Sequence, residues 1–370
     1  MNYEGLIPEV QKPVEMALPH WRYGTIQDGV RKIDPLLHYG CFTLGFEQPK
    51  LVEKVCDVVK NIKPEIAEVV GYGDLRLNQV AFQLQEEVYK LSGGYNSFYA
   101  LSGSDANEGA VKLASAYHYQ RGNHQKKQIV SLKPSYHGST YLTSSIGCDS
   151  LMEDPFYTMR KPVDIIRVDR KFNIHEGLVN WSTVSAVVVE TCTYADTMEP
   201  YSDDFWNKLA QVQQKHDVLI IIDDIFMGGG KTGHYCGWNH LPIRPDIATM
   251  GKAITGGFFP LSMTLYNKKV KDSLPSNFKW EHGFTYNFSI AGIVSALEYN
   301  KLVIHNNLIN QVSGLVARAE KTFTDCGFEI LNNFGTFFMV RKVRFQSLYM
   351  IPLNADEMYF EVLRKELITL

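Results

Sequence analysis

The chain has 370 residues, of which 45% are apolar and 21% are charged, and its formal net charge is −3. That length favours two domains over one, and the composition is typical of a soluble globular protein. The sequence has neither a basic stripe nor a block of like charge, so it does not predict nucleic-acid binding. A small molecule is therefore the expected ligand.

Cysteine usage and hydropathy indicate the compartment. The six cysteines are scattered and form no Cys-x-x-Cys pair, which argues against a zinc site or a disulfide framework and favours a reducing compartment. The N-terminal sequence lacks the pattern of a signal peptide. No apolar run approaches the roughly 20 residues of a membrane span. We therefore expect a cytoplasmic protein without a metal and without membrane association.

Helical and strand patterns alternate through most of the chain after an N-terminal stretch, 1–45, with little periodicity. Amphipathic helices are predicted from Pro49 onward and over 78–91, 104–121 and 205–216. Short strands are predicted at 97–101, 128–132, 164–168, 185–189, 218–222, 247–250 and 261–265. Continuous β-branched runs between helices are typical of strands buried on both faces, so we expect a mostly parallel sheet in an α/β layer fold.

The last part of the chain predicts a smaller α+β unit. Its elements are helices over 290–302, 308–326 and 357–367 and a strand over 337–340. We divide the chain into an N-terminal segment that joins the small domain (1–48), a large α/β domain (49–290) and a C-terminal small domain (291–370).

A phosphate site is predicted where the strand 97–101 gives way to a helix. The turn contains Gly103 and Ser104, and helix N-termini carry free N–H groups and a partial positive charge that favour a phosphate. A second interpretation is that Ser104 only caps the helix.

Asp223 and Lys252 are candidates for two halves of one site. Lysine is costly to bury unless it is paired or used chemically, and Lys252 lies between the strand 247–250 and a glycine-rich turn. Desolvation lowers the pKa of a lysine, which can then form a Schiff base with an aldehyde. Asp223 closes the strand 218–222, and a protonated pyridine nitrogen would suit its carboxylate. The plainer interpretations are a surface lysine and a turn cap.

Two apolar groups could cover a planar ring in such a site. Tyr136 follows the strand 128–132 and could stack on the ring, although a tyrosine of the core is the plainer interpretation. Ile225, two residues after Asp223, could contact the other face of the ring.

In their order along the chain, these motifs resemble those of the class III (ω-type) aminotransferases, fold-type I enzymes that use pyridoxal 5'-phosphate. The similar segments are Ser102–Ala114, Tyr136–Gly138, Ile222–Gly233, Pro245–Gly257 and His282–Tyr286. The resemblance covers the chain from about residue 28 to about residue 296. It implies a seven-stranded, mostly parallel sheet between helices, with a smaller α+β domain formed from both chain ends.

The resemblance also implies roles for individual residues. Lys252, Asp223 and Tyr136 would be catalytic: Lys252 forms the internal aldimine and moves the substrate proton, and Asp223 keeps the ring nitrogen protonated. The implied cofactor-binding residues are Gly103, Ser104, Tyr136, His137, Glu190, Asp223, Ile225, Lys252 and Thr285. Thr285 would reach the phosphate of the neighbouring subunit, which implies a homodimer with shared active sites.

The implied activity is transfer of an amino group between a primary amine or amino acid and a keto acid or aldehyde. An aminomutase, racemase or decarboxylase of the same family, or a catalytically silent relative, would share the motifs. The 7,8-diaminononanoate (biotin-pathway) type is one specific candidate. Phe226 stands where many members have Gln or Ala, and no counterpart of the family's late arginine precedes Leu370. We expect either a shortened C-terminus or a substrate carboxylate that is held differently.

Overall fold

The structure is a computed structural model that describes residues 20–61, 79–147, 164–169, 179–193, 198–284, 286–343 and 345–370. Its strands are β1 (His20–Trp21), β2 (Gly24–Gln27), β3 (Val30–Ile33), β4 (Asn96–Ala100), β5 (Gln128–Lys133), β6 (Ile165–Asp169), β7 (Val184–Glu190), β8 (Leu219–Asp223), β9 (Ile247–Met250), β10 (Ser262–Tyr266), β11 (Glu329–Phe334), β12 (Phe337–Lys342) and β13 (Phe345–Met350). Its α-helices are α1 (Pro49–Lys60), α2 (Gln79–Leu91), α3 (Gly103–Gln120), α4 (Tyr141–Ile146), α5 (Asp203–His216), α6 (Lys268–Ser273), α7 (Ile290–His305), α8 (Val312–Asp325) and α9 (Glu357–Thr369).

The central sheet has seven strands in the order β4-β10-β9-β8-β7-β5-β6. The pairs β5–β6, β5–β7, β7–β8 and β8–β9 are parallel, whereas β10 runs antiparallel to both β4 and β9. The prediction of a mostly parallel sheet in an α/β fold is therefore confirmed. The predicted strands also lie within two residues of the observed ones.

Successive residues of the central strands enter two different cores. On β8, Ile220 and Ile222 belong to the core under α2 and α5, whereas Leu219 and Ile221 belong to the core under α3. Because side chains alternate across a strand, this pattern requires that both faces of the sheet be covered. It explains why every residue of β7 and β8 is buried.

Both ends of the described chain contribute to a second, smaller structure. The antiparallel sheet β11-β12-β13 packs with α8 and α9, and the N-terminal strands β1–β3 join the same core. Ile33 N donates to Glu366 Oε1 at 2.8 Å, and Met350 N donates to Pro35 O at 2.7 Å. A small α+β unit built from both ends was expected and is confirmed, although β1–β3 were not predicted. The domain boundaries at 48 and 290 stay predictions.

The strand directions bring several loops to one edge of the sheet. Strands β5, β7, β8 and β9 are parallel, and β4 points the same way because both β4 and β9 are antiparallel to β10. Polar groups that follow these strands therefore meet at a single edge. Within the described residues, none of the helices has the length and apolar character needed to cross a bilayer.

Candidate active site

The N-terminus of α3 forms one end of the site. Ser102 has extended backbone (φ −138°, ψ 164°), and its Oγ accepts a hydrogen bond from Asp105 N at 3.2 Å. Ser102 is therefore the N-cap, and the interpretation of Ser104 as the cap is wrong. Ser104 lies inside the first turn, where backbone N–H groups have no partner within the helix. Its Oγ accepts from Ser139 N at 3.2 Å.

The loop after β5 closes against this first turn. Gly138 has a φ of +122°, and a Cβ at this position would lie 2.2 Å from Ser104 Oγ. Only glycine permits this close approach, because a side chain would collide as well as strain the backbone. The neighbouring Tyr136 is 37% exposed, so it is not the core tyrosine of the plainer interpretation.

Asp223 ends β8 within a network of donors. Its Oδ2 accepts from Asn107 Nδ2 at 2.7 Å and lies 2.9 Å from His137 Nδ1, and its Oδ1 accepts from Ile225 N at 3.1 Å. Burial alone would lower the pKa of His137. The hydrogen bond and charge of Asp223, together with the charge of Glu190, outweigh burial and raise the pKa. A buried carboxylate and a cation-forming ring therefore support each other.

Asp224 is the second of the two consecutive carboxylates, and it has a different environment. Its Oδ1 accepts from Thr191 Oγ1 at 2.5 Å and its Oδ2 accepts from Gly237 N at 2.8 Å. Burial raises the pKa of Asp224 to about 7. Asp224 does not line the cavity described below, so the two carboxylates have separate tasks.

Lys252 follows β9 in a backbone conformation that is unfavourable for lysine. Its φ is 50°, in the left-handed region that costs a residue with a Cβ about 1–2 kcal/mol. The Nζ atom lies 4.6 Å from the centroid of the Phe226 ring. Burial lowers the pKa of Lys252, and the charges of Cys41, Asp223 and Glu190 oppose that shift. A lowered pKa increases the neutral fraction that a nucleophilic amine requires.

One cavity of about 160 Å³ joins these groups. A single water needs only about 10–15 Å³ by this kind of measure, so the cavity has room for part of a larger ligand. Every predicted site residue that the structure describes lines the cavity, whereas Thr285 lies outside the described residues. In the described part of the chain, no group of three or more His, Cys, Asp or Glu side chains could hold a metal ion.

Five further residues that line the cavity had no catalytic or binding role predicted from the sequence: Asn107, Gly138, Cys192, Phe226 and Met227. Asn107 connects the site most directly, because Thr249 Oγ1 donates to its Oδ1 at 2.8 Å while its Nδ2 binds Asp223. A sequence signal for Asn107 did exist. It lies four residues after Gly103, so both face the same side of α3.

Comparisons with known proteins agree with this geometry. The profile of the aminotransferase class-III family matches residues 22–329. The chain is 27% identical over 314 residues to the uncharacterized aminotransferase YhxA of Bacillus subtilis (strain 168), covering 80% of this chain and 68% of that protein. It is 26% identical over 324 residues to the diaminobutyrate–2-oxoglutarate transaminase of Halomonas elongata, covering 80% and 66%. The chain thus spans about two thirds of the length of these curated relatives.

Solved structures show the same fold. An (S)-enantioselective omega-transaminase from Thermomicrobium roseum superimposes with a TM-score of 0.80 at 19% identity, covering 94% of this chain and 89% of that chain. An amine transaminase from an uncultivated Pseudomonas species, in its PLP-bound form, superimposes with a TM-score of 0.79 at 18% identity, covering 92% and 90%.

Proposed function

Because this chain belongs to the class III aminotransferase family, we propose that it is a pyridoxal-phosphate-dependent transaminase. It moves an amino group between a primary amine or amino acid and a keto acid or aldehyde. One observation carries the proposal: Lys252 and Asp223 line one cavity together with the N-terminus of α3. An aldehyde-reactive amine, a carboxylate and a phosphate site are the three fixed points that this cofactor needs.

The residues of the cavity fit pyridoxal 5'-phosphate. The first turn of α3 and the Ser104 hydroxyl suit a phosphate, and Asp223 suits a protonated ring nitrogen. Tyr136 and Ile225, which also line the cavity, suit the two faces of an aromatic ring. When bound, the cofactor supplies an aldehyde that reacts with amines and a ring that withdraws electrons from the carbon bearing the amino group.

The protein's own residues hold and move protons in this proposal. Asn107, His137 and Ile225 N fix the carboxylate of Asp223, so its negative charge favours the protonated form of the ring nitrogen. Lys252 first acts as the neutral amine and then carries a proton between the reacting carbons. Among the described residues that line this cavity, Lys252 alone carries an amine.

We also propose a homodimer in which Thr285 reaches the phosphate in the partner subunit. The segment just before Thr285 supports this idea, because His282 Nε2 lies 2.9 Å from Asp105 Oδ1 at the start of α3. The loop is therefore anchored beside the phosphate site. Primary amines are the proposed donors, since relatives are named for diaminobutyrate and for amine transfer. The biotin-pathway type and a cytoplasmic location stay predictions.

Reconstitution with pyridoxal 5'-phosphate tests the proposal. We expect the wild-type protein to acquire the visible absorbance of a Schiff base and to transfer amino groups from a panel of primary amines to keto acids. Lys252→Ala should lose both properties. A protein that stays colourless after the cofactor is added would refute the proposal.

Lys126→Met is the matched control. Lys126 is also buried, but its Nζ donates to three backbone carbonyls, those of Trp181, Val184 and His216, at 2.7–3.2 Å. It does not line the active-site cavity. Loss of this lysine should lower the free energy of unfolding and leave the absorbance intact.

Transfer of the amino group to the keto acid, measured directly, separates a transaminase from an aminomutase, racemase or decarboxylase.

A further inference from the structure

A second buried lysine, Lys231, lies beside the site without lining its cavity. We propose that Lys231 is a positioning residue whose charge sets how tightly Lys252 holds its proton. The proposal rests on the proposed function only in taking Lys252 as the reactive amine. It makes the two lysines an electrostatically coupled pair.

The two amines approach one pair of stacked aromatic rings. The rings of Phe226 and Phe337 have centroids 4.5 Å apart at an interplanar angle of 27°. Lys252 Nζ lies 4.6 Å from the Phe226 centroid, and Lys231 Nζ lies 6.0 Å from the Phe337 centroid. Both amines therefore lie against the same apolar structure.

Gly40 lies where the two stacked rings meet the amine of Lys231. Lys231 is 0% exposed, and its Nζ donates to Gly40 O at 3.3 Å. A Cβ built on Gly40 would lie 3.5 Å from Phe226, 3.5 Å from Phe337 and 3.8 Å from Lys231 Nζ. A single neutral carbonyl replaces only part of the water that an ammonium group loses on burial.

The charges around the pair leave the two lysines only partly compensated. Lys231 faces Lys252, Cys41 and Asp224, and burial, followed by the charge of Lys252, lowers the pKa of Lys231 to about 7. Asp224 compensates only in part near neutral pH, because burial raises its pKa to about 7 and keeps a large fraction of the carboxyl group neutral. Two ammonium groups in a poorly solvated region repel each other more strongly than they would in water.

Lys252 faces the two carboxylates of the site in addition to Cys41. Asp223 and Glu190 raise its pKa, while burial lowers it. The charge of Lys252 lowers the pKa of Lys231, and repulsion between two like charges is mutual. A charge on Lys231 therefore favours release of the Lys252 proton. As the pH rises, Lys231 loses its charge and Lys252 holds its proton more tightly. The charge at position 231 thus controls the supply of the neutral amine that attacks an aldehyde.

The test compares Lys231→Arg with Lys231→Met in the protein without cofactor. Arginine keeps its charge throughout the pH range, whereas methionine fills a similar space without charge. Acetic anhydride is the probe, and peptide mass spectrometry follows acetylation of Lys252 as a function of pH. We expect the midpoint to be lower in Lys231→Arg than in Lys231→Met by about one pH unit or more. The wild type should follow the arginine variant at low pH and the methionine variant at high pH.

Identical Lys252 midpoints in the two variants would overturn the proposal. If Lys231→Met fails to fold, Lys231→Arg is compared with the wild type instead. The arginine variant should have the lower acetylation midpoint, because it keeps its charge at alkaline pH, where Lys231 has lost its own. Lys126→Met removes a buried lysine elsewhere and should leave the midpoint of Lys252 unchanged. The labelling needs no cofactor, so a protein that shows the shift but transfers no amino group would refute the proposed function and leave the coupling intact.

Discussion

Asp223→Asn removes one charge from the centre of the site and almost no volume. Asp223 accepts hydrogen bonds from Asn107 Nδ2 and Ile225 N and lies 2.9 Å from His137 Nδ1. An asparagine cannot accept from all of them, because one of its two terminal atoms is itself a donor. A lost hydrogen bond to a charged group costs about 1.5–3 kcal/mol, so we expect the free energy of unfolding to fall by that amount.

The effect on amino transfer should be larger than the effect on stability. Without the negative charge at position 223, the ring nitrogen of the cofactor has no anionic partner, and the electron-withdrawing form of the ring is disfavoured. We expect transfer to slow by about 100-fold or more, the range that a positioned proton-holding group contributes. The pKa of His137 should fall as well, because the charge of Asp223 raises it.

Single-turnover spectroscopy of the half-reaction with a primary amine measures the transfer step, and NMR of the histidine ring measures the second effect. Asp224→Asn is the control, since Asp224 is also buried but accepts hydrogen bonds from Thr191 and Gly237 and does not line the cavity. It should transfer amino groups at nearly the wild-type rate. Near-wild-type transfer by Asp223→Asn, or equal damage by both substitutions, would refute the assigned role of Asp223.

Two other substitutions probe the phosphate site and the buried acid. Gly138→Ala and Gly122→Ala both place alanine at positive φ, but only the methyl group at position 138 would meet Ser104 Oγ, at 2.2 Å. Cofactor affinity, measured by spectral titration, should therefore fall about tenfold or more in Gly138→Ala, a loss of about 1.4 kcal/mol, and should stay unchanged in Gly122→Ala. Equal affinities in the two variants would contradict the close approach of Gly138 to Ser104. For Asp224, burial raises the pKa from the ordinary 3.8 to about 7, so the folded state binds the proton more tightly between these values. The free energy of unfolding of the wild type should therefore fall as the pH rises through that window, by up to about 1.4 kcal/mol per pH unit. Urea unfolding of Asp224→Asn should lack this fall. The same dependence of stability on pH in both proteins would contradict the raised pKa of Asp224.

The sheet and the main site residues were predictable because their signals are local. Strand β7 is a run of small and β-branched residues, and such runs have few alternatives to a buried strand. Gly103 and Lys252 follow predicted strands directly, so their place at the edge of the sheet follows from the strand direction alone. The strands β1–β3 were missed because their burial is irregular. Strand β3 is anchored instead by α9, since Ile33 N donates to Glu366 Oε1, more than 300 residues away.

Long-range neighbours explain what sequence patterns could not reveal about the site. The lysine at position 231 looks like any lysine in a glycine-rich loop, and its burial depends on Gly40 and Phe337, which are distant in the chain. The left-handed backbone of Lys252 likewise has no local cause, since lysine does not favour it. Such strained residues are typical of functional sites, where the surrounding structure imposes the conformation.

The alternation of side chains along the strands decides which of the two consecutive aspartates serves the site. On β8, Leu219 and Ile221 face the core under α3, so Asp223, two residues further on, faces α3 as well. Asp224 is out of step with them and turns to Thr191 and Gly237 instead. By the same alternation, Glu190 at the end of β7 and Thr249 on β9 face α3. The first turns of α3 carry the phosphate site and Asn107, whose side-chain amide binds both Thr249 and Asp223. A one-residue slip of β8 would exchange the two carboxylates, so the register of a buried strand fixes the chemistry of the cavity.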